Sequence, residues 1–259
     1  MGHSFGGYTA LALAGAPLNI EQLQTRCSAE LADSVNLSIP VQCLALQSQF
    51  QSALQDERID AVFVFNPFAS FVFGQPGLSQ LQTPVLMVGG SDDPIAPTLV
   101  EQIQPFTWLT TSNKYLVLMQ GGSHNYAISE TLSDPLSGPD PSLARDYLKV
   151  LGLAFMQTHI VGQSDYSQFL QAGYAQYLSQ ETLPLSLVQN VSLETIEQNQ
   201  RFVVDAAKKG SRISAFTLMV VFAGQSRVRS HLNAHSIMNT HLWSTLIAVL
   251  LGWPSVTLL

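Results

Sequence analysis

The sequence predicts an α/β fold, a parallel β-sheet with flanking helices. Three short apolar runs, residues 60–65, 83–88 and 114–119, predict its buried strands. Each run ends in a turn rich in glycine, proline or polar residues. Near-continuous apolar runs of this length are typical of strands that are buried on both faces. Residues 98–106, between the second and third runs, predict a helix.

The chain opens on a serine between glycines, Gly2-His3-Ser4-Phe5-Gly6. This pattern fits G-x-S-x-G, in which a serine occupies a strained turn between a strand and a helix. Such a turn leaves little room two residues to either side, which predicts that both glycines are needed for steric reasons. Gly7 adds room where the following helix packs on the sheet. The alternative is that Ser4 is only the N-cap of a helix.

Residues 8–14, rich in Ala and Leu, predict the helix that follows, with stop signals at Gly15 and Pro17. The strand that should precede the turn is missing, because the chain begins at Met1.

Two other polar groups follow predicted strands. Asp92 and Asp93 come after the run 83–88, and His124 comes after the run 114–119. A serine is a poor nucleophile without a base, an imidazole can take its proton, and a carboxylate can orient the imidazole. The sequence therefore predicts Ser4 as nucleophile and His124 as base. We expect Asp93 to be the acid because it lies just ahead of the next helix.

Asp92 is the alternative acid, or it caps the turn. The backbone N–H of Phe5, the residue after the nucleophile, is expected to point at the developing oxyanion. No histidine or cysteine has metal-ligand spacing, so we expect neither a metal nor a cofactor. His3 is expected to pack, and the remaining histidines are expected to be structural or on the surface.

Residues 18–58 are polar and predict one or two helices inserted between core strands, as a lid or pocket wall. Phe68, Phe71 and Phe73 follow the first predicted strand and are candidates for lining a pocket. Ordinary core packing is the alternative for each. Cys27 and Cys43, the two cysteines, predict either a disulfide in an exported protein or two buried thiols. Residues 143–161 and 165–178 predict two further helices.

Charge is spread unevenly over the 259 residues. Residues 1–200 hold 17 acidic and 5 basic side chains, whereas residues 201–259 hold 1 and 6. The net charge of −7 argues against nucleic-acid binding. The chain therefore divides into a domain, 1–200, and an unassigned apolar and basic tail, 201–259. The tail predicts one of three things: a buried terminal helix, a segment that is not a selected globular sequence, such as a read-through or shifted frame, or a segment in contact with a membrane. Membrane contact is the weakest of the three.

The order Ser4, Asp93, His124 and the motifs around them resemble the serine α/β-hydrolases. The closer resemblance is to the bacterial predicted dienelactone hydrolase group, near platelet-activating-factor acetylhydrolases and polyester hydrolases. It covers about residues 1–195, including 2–10, 42–44, 56–59, 101–106 and 114–117.

This resemblance implies the C-terminal part of an α/β-hydrolase fold, in which the N-terminal half of the sheet is missing and about three strands remain. It also implies a cofactor-free carboxylic-ester hydrolase that works through an acyl-serine. Its partner would be a small-molecule ester or a short-chain lipid ester. A serine nucleophile argues against true dienelactone hydrolase activity, which uses cysteine. The alternatives are a catalytically incompetent fragment or interaction module, and a thioesterase, peptidase or haloperoxidase on the same scaffold. The sequence leaves localisation open between the cytoplasm and an exported state.

Overall fold

A computed structural model describes residues 1–30, 36–47, 54–128 and 134–189. All of these residues fall within the first of two compact units, Met1–Ser192. The predicted tail, 201–259, lies outside the described residues. The strands are β1 (Gly2–His3), β2 (Val62–Phe65), β3 (Val85–Gly90), β4 (Lys114–Met119) and β5 (Leu185–Gln189). The α-helices are α1 (Phe5–Leu13), α2 (Ile20–Glu30), α3 (Ser38–Cys43), α4 (Gly74–Leu78), α5 (Gln104–Trp108), α6 (Pro141–His159) and α7 (Ala172–Leu178).

The five strands form one mixed sheet in the order β1-β2-β3-β4-β5. Strands β1 to β4 are parallel, whereas β5 runs antiparallel to β4. The three strands predicted from apolar runs are confirmed as β2, β3 and β4. The predicted parallel sheet is confirmed for β1 to β4 and is wrong for β5, which runs antiparallel. The expectation of about three strands is wrong, because β1 and β5 add a strand at each edge.

Strand β1 corrects the expectation that the strand before the serine turn is missing. Gly2 pairs with Val64 and His3 pairs with Phe65, so two residues of that strand are present. Strand β5 was not predicted, because it is a short edge strand and lacks the continuous apolar run by which the other strands were recognised. Leu185 and Leu187 are buried while the residues between and after them are half-buried.

Both faces of the sheet are covered, which explains why β2, β3 and β4 are buried along their whole length. On one face, Phe63 and Phe65 join residues of β3, β4 and α6 in a single core cluster. Helix α6 packs closely there, since a Cβ added at Gly152 would lie 2.7 Å from the ring of Phe63. Helix α1 contacts β1 and β2.

The inserted segment between α1 and β2 is helical, as predicted. It contains α2, α3 and a 3₁₀ turn, Leu44–Gln47. A disulfide joins Cys27 in α2 to Cys43 at the end of α3. The sequence left the state of the two thiols open, and the structure pairs them.

The helices after β3 and β4 differ in detail from their predictions. The predicted helix 98–106 is a π-helical turn, Leu99–Ile103, that continues into α5. Helix α6 matches the predicted 143–161, while the predicted 165–178 divides into a 3₁₀ helix, Ser164–Leu170, and α7. Within the described ranges, none of the helices has the length and apolar character needed to cross a membrane.

Candidate active site

Ser4 occupies the sharp turn between β1 and α1. Its backbone has φ 54° and ψ −120°, outside the regions that L-residues ordinarily adopt. A Cβ at Gly2 would lie 2.1 Å from the carbonyl oxygen of Gly6, and a Cβ at Gly7 would lie 2.8 Å from Cβ of Pro67. The turn therefore requires glycine at positions 2 and 7. The steric expectation for Gly6 is wrong, because an added Cβ there meets nothing within 4 Å.

The side chain of Ser4 does not cap the helix that follows it. Although Ser4 stands at the N-cap position of α1, its hydroxyl makes no capping hydrogen bond. Its Oγ lies instead 2.9 Å from Nε2 of His124. The helix-cap alternative therefore does not describe where this side chain points.

A hydrogen-bonded chain connects the hydroxyl to a buried carboxylate. Nδ1 of His124 lies 2.8 Å from Oδ2 of Asp93. The ring of His124 and the carboxylate of Asp93 are buried, with 7% and 5% of each residue exposed, whereas Ser4 is half-buried. A carboxylate can only accept, so Nδ1 carries the proton and Nε2 presents its lone pair to the Ser4 hydroxyl.

The carboxylate of Asp93 is fixed on both of its oxygens. Oδ1 accepts from the backbone N–H groups of Ile95 and Ala96, each at 2.8 Å. Oδ2 accepts from Nδ2 of Asn66 as well as from His124. These donors hold the ionised carboxylate in one orientation behind the imidazole.

Asn66 is a site residue that sequence reasoning missed, because an asparagine directly after a strand is typical of a turn. Its backbone lies in the left-handed region, at φ 45°, and its N–H donates to the carbonyl of Val88 at 2.8 Å. The available signal was its position: a polar residue directly after β2, which lies between β1 with Ser4 and β3 with Asp93.

The second acidic residue is turned away from the histidine. Asp92 is exposed, and its Oδ1 accepts from the hydroxyl of Ser91 at 2.7 Å. Its backbone N–H donates to the carbonyl of Gly122 at 2.9 Å. Asp92 thus stabilises the turn after β3, and of the two aspartates Asp93 is the one that contacts His124.

His3 packs as expected and also makes a hydrogen bond. Its ring stacks on Phe65 with centroids 5.3 Å apart. Its Nε2 donates to the backbone carbonyl of His124 at 2.8 Å. Burial lowers the pKa of His3, which favours the neutral ring that this arrangement needs. The residue before Ser4 therefore holds the backbone that carries His124.

Of the aromatic candidates, Phe68 lies beside the hydrogen-bonded chain. Its buried ring is nearly parallel to that of His124, with centroids 6.2 Å apart. Phe71 is buried under the guanidinium of Arg26, 4.1 Å from the ring centroid. Phe73 is buried and stacks on Tyr8 at 5.5 Å. A role in binding substrate remains a prediction for all three.

The start of α1 places a backbone N–H group and an exposed aromatic ring next to Ser4. Phe5 is the first residue of α1, and the first N–H groups of a helix have no acceptor within it. The side chain of Phe5 is 53% exposed and its ring lies 5.0 Å from that of Tyr8. An apolar group bound at Ser4 would therefore meet aromatic surface.

Tyr126 lies close enough to the Asp93 carboxylate for the negative charge to affect the pKa of its phenol. Burial, reinforced by the negative charge of Asp93, raises the pKa of Tyr126 well above its usual value. This fully buried phenol therefore stays neutral, and it belongs to the core cluster under the sheet.

A cavity lies elsewhere in the described part of the chain. It has a volume of about 420 Å³ and is lined by Phe63 and Phe65 of β2, by residues of α6 and by Met1. Ser4, Asp93, His124, Phe68 and Phe71 are not among its lining residues. Over the described ranges, no group of three or more His, Cys, Asp or Glu side chains is arranged to hold a metal ion.

Comparison with known proteins finds no family model that matches the chain and no significant match among curated proteins. The case for a function is therefore carried by the geometry around Ser4.

Proposed function

We propose that this protein is a serine hydrolase of the α/β-hydrolase type that cleaves carboxylic esters through an acyl-serine intermediate. The observation that carries the proposal is the continuous chain from Ser4 Oγ to His124 Nε2 and from His124 Nδ1 to Asp93, with Ser4 held at φ 54°. A strained serine backbone at a strand-to-helix turn is typical of a nucleophile whose Oγ must be accessible to the substrate.

In the acylation half of the reaction, His124 Nε2 takes the proton of the Ser4 hydroxyl as Oγ attacks the ester carbonyl. The carbonyl oxygen becomes an oxyanion, to which the N–H of Phe5 donates. Asp93 stabilises the imidazolium while keeping its own negative charge. When the tetrahedral intermediate collapses, His124 gives the proton to the leaving alkoxide, which departs as the alcohol.

In the deacylation half, His124 takes a proton from a water molecule that attacks the acyl carbonyl. The proton then returns to Ser4 Oγ as the carboxylic acid leaves, so that the enzyme regains its starting state. The cycle consumes one ester and one water and needs no redox partner.

The site favours small or short-chain lipid esters over large polar substrates. The surface next to Ser4 includes the exposed ring of Phe5 and the ring of Tyr8, whose centroids lie 5.0 Å apart. An acyl chain that covers this surface gains free energy in proportion to the apolar area removed from water.

The proposal is tested by labelling with a fluorophosphonate probe and by hydrolysis of p-nitrophenyl acetate and butyrate. We expect the probe to modify Ser4, and Ser4→Ala to abolish both labelling and turnover, a loss of at least about a thousandfold. Ser79→Ala is the matched control, because the Ser79 hydroxyl donates to the carbonyl of Pro76 near the surface, away from Ser4 and His124. A wild-type chain that neither labels nor turns over ester would contradict the proposal, and turnover of amides or thioesters in preference to esters would redirect it.

A further inference from the structure

Glu101 is a buried acidic side chain outside the Ser4–His124–Asp93 chain. It lies in the π-helical turn that follows β3, and none of its surface is exposed. Burial of a carboxylate is unfavourable unless its oxygens are hydrogen-bonded. The hydrogen bonds of Glu101 therefore indicate which parts of the molecule it holds.

Six donors converge on this carboxylate. Oε2 accepts from the backbone N–H groups of Ala69 and Ser70, at 2.9 and 3.0 Å. Oε1 accepts from the side chains of Asn36 (3.1 Å), Ser38 (2.6 Å), Gln42 (2.9 Å) and Ser70 (2.7 Å). Two of these four side chains belong to α3, so the carboxylate connects the inserted helices to the segment after β2.

That segment, residues 66–72, forms one side of the candidate site. Asn66 at its start donates to Asp93, and Phe68 packs against the ring of His124. Gln102 Nε2 donates to the carbonyl of Pro67 at 3.0 Å. Past Ser70, Oε1 of Gln42 accepts from the N–H groups of Phe71 and Val72, at 2.9 and 3.0 Å. The backbone is thus held on both sides of Phe68 by side chains from two other elements.

We propose that Glu101 is a positioning residue: by fixing the backbone of residues 69 and 70, it holds Phe68 against His124 and Asn66 against Asp93. The expected effect on catalysis rests on the proposed function, whereas the effect on the backbone of residues 69 and 70 rests on the contacts alone. Because Gln42 is next to Cys43, the disulfide to α2 anchors the opposite end of the same arrangement. Through Glu101 and Gln42, the inserted helices therefore support the segment that carries Asn66 and Phe68.

The discriminating variant is Glu101→Gln, which keeps the size and shape of the side chain. A glutamine places an NH₂ group where one carboxylate oxygen stood. If the NH₂ group takes the place of Oε2, it faces the N–H groups of Ala69 and Ser70. If it takes the place of Oε1, it faces the side-chain N–H groups of Asn36 and Gln42. In either orientation two N–H donors lose their acceptor.

We expect Glu101→Gln to lower kcat for p-nitrophenyl butyrate about tenfold or more while KM changes less, since sub-ångström displacement of catalytic groups is enough for such a loss. In a double-mutant cycle, Phe68→Leu should lower kcat in the wild-type background and have a smaller effect in the Glu101→Gln background. Independent effects of the two substitutions, or a Glu101→Gln protein that melts earlier with unchanged kcat, would overturn the inference.

Amide hydrogen exchange supplies a readout that does not depend on activity. In Glu101→Gln the amides of Ala69 and Ser70 should exchange at least about tenfold faster, while those of β2 keep their protection. Equal acceleration in both places would indicate general destabilisation and contradict the inference. If Glu101→Gln fails to fold, Ser70→Ala removes one donor to Oε1 and is expected to give the same pattern at smaller amplitude. An inactive wild-type chain with the expected exchange pattern would refute the ester-hydrolase proposal alone.

Discussion

His124 and Asp93, 31 positions apart in the chain, meet through a 2.8 Å contact between Nδ1 and Oδ2. Asp93 follows β3 and His124 follows β4, and these two strands pair in parallel over six residues. Parallel neighbours end at the same edge of a sheet, so the loops after them are adjacent. This pairing is what allows a local sequence pattern to assemble a long-range contact.

The two aspartates of this loop give a matched pair of substitutions. Asp93→Asn should lower kcat about a thousandfold or more, because an amide in place of the carboxylate no longer selects the Nδ1–H tautomer or stabilises the imidazolium. Asp92→Asn should leave kcat within about twofold, since Asp92 is exposed and turned towards Ser91. Ester turnover of the two purified variants checks this, and a larger loss in Asp92→Asn would reverse the assignment of the acid.

The glycines around Ser4 give a second pair. Gly2→Ala should prevent the turn from forming, because the new Cβ would lie 2.1 Å from the carbonyl oxygen of Gly6, and relief of that clash requires a shift of the backbone. Gly6→Ala should fold with nearly wild-type stability, because the space beside it is open. Thermal unfolding and fluorophosphonate labelling of the two variants measure the difference. Equal tolerance of both substitutions would show that the backbone at Ser4 differs from the one described.

The free energy of unfolding should decrease as the pH is lowered through the range in which histidines bind a proton. Burial lowers the pKa of His159, whose Nε2 lies 3.0 Å from the hydroxyl of Tyr115. A depressed pKa means that the unfolded chain binds the proton more readily. The stabilisation is therefore complete above the unfolded value of 6.5 and is lost as the pH falls through the lower folded value.

Urea unfolding at about pH 7.5 and about pH 5 tests this for His159→Gln against wild type. The variant should lose less stability between the two pH values, because glutamine has no proton to take up. His3, whose pKa is also lowered by burial, contributes in the same direction in both proteins and cancels in the comparison. An identical pH dependence in variant and wild type would exclude the contribution of His159.

The disulfide between Cys27 and Cys43 should stabilise the domain measurably. It closes a loop with a sequence separation of 16, for which the loss of chain entropy in the unfolded state predicts about 3 kcal/mol. The double substitution Cys27→Ala with Cys43→Ala should lower the free energy of unfolding by up to that amount. Wild type in reducing buffer should unfold at the same denaturant concentration as the variant. No change in either experiment would mean that the unfolded chain is not constrained by this link.

Much of the parallel part of the fold was predictable because buried strands carry a local signal. The apolar runs of β2, β3 and β4 are short, nearly continuous and bounded by turn residues. Strand β5 was not predicted, because an edge strand has only alternate residues buried. Strand β1 was not predicted, because two residues contain no pattern, and its pairing with Val64 and Phe65 exists only in the folded sheet.

The sequence identifies candidate residues where a reactive side chain directly follows a strand, as for Ser4, Asp93 and His124. Asn66 and Glu101 were missed because their importance comes from partners distant in the chain. Asn66 donates to Asp93, and Glu101 accepts from residues 31 to 65 positions away. Neither residue belongs to a motif with a fixed local spacing.

By itself, the sequence determined the order of serine, aspartate and histidine and the local turn that carries the serine, since both depend on residue type and short-range sterics. Only the tertiary structure decided which aspartate contacts the imidazole, that Gly6 has room to spare, and that the two cysteines are paired. Those outcomes depend on distances between segments that approach each other only after the sheet has formed, because neither hydrogen bonds nor steric clashes act beyond contact range.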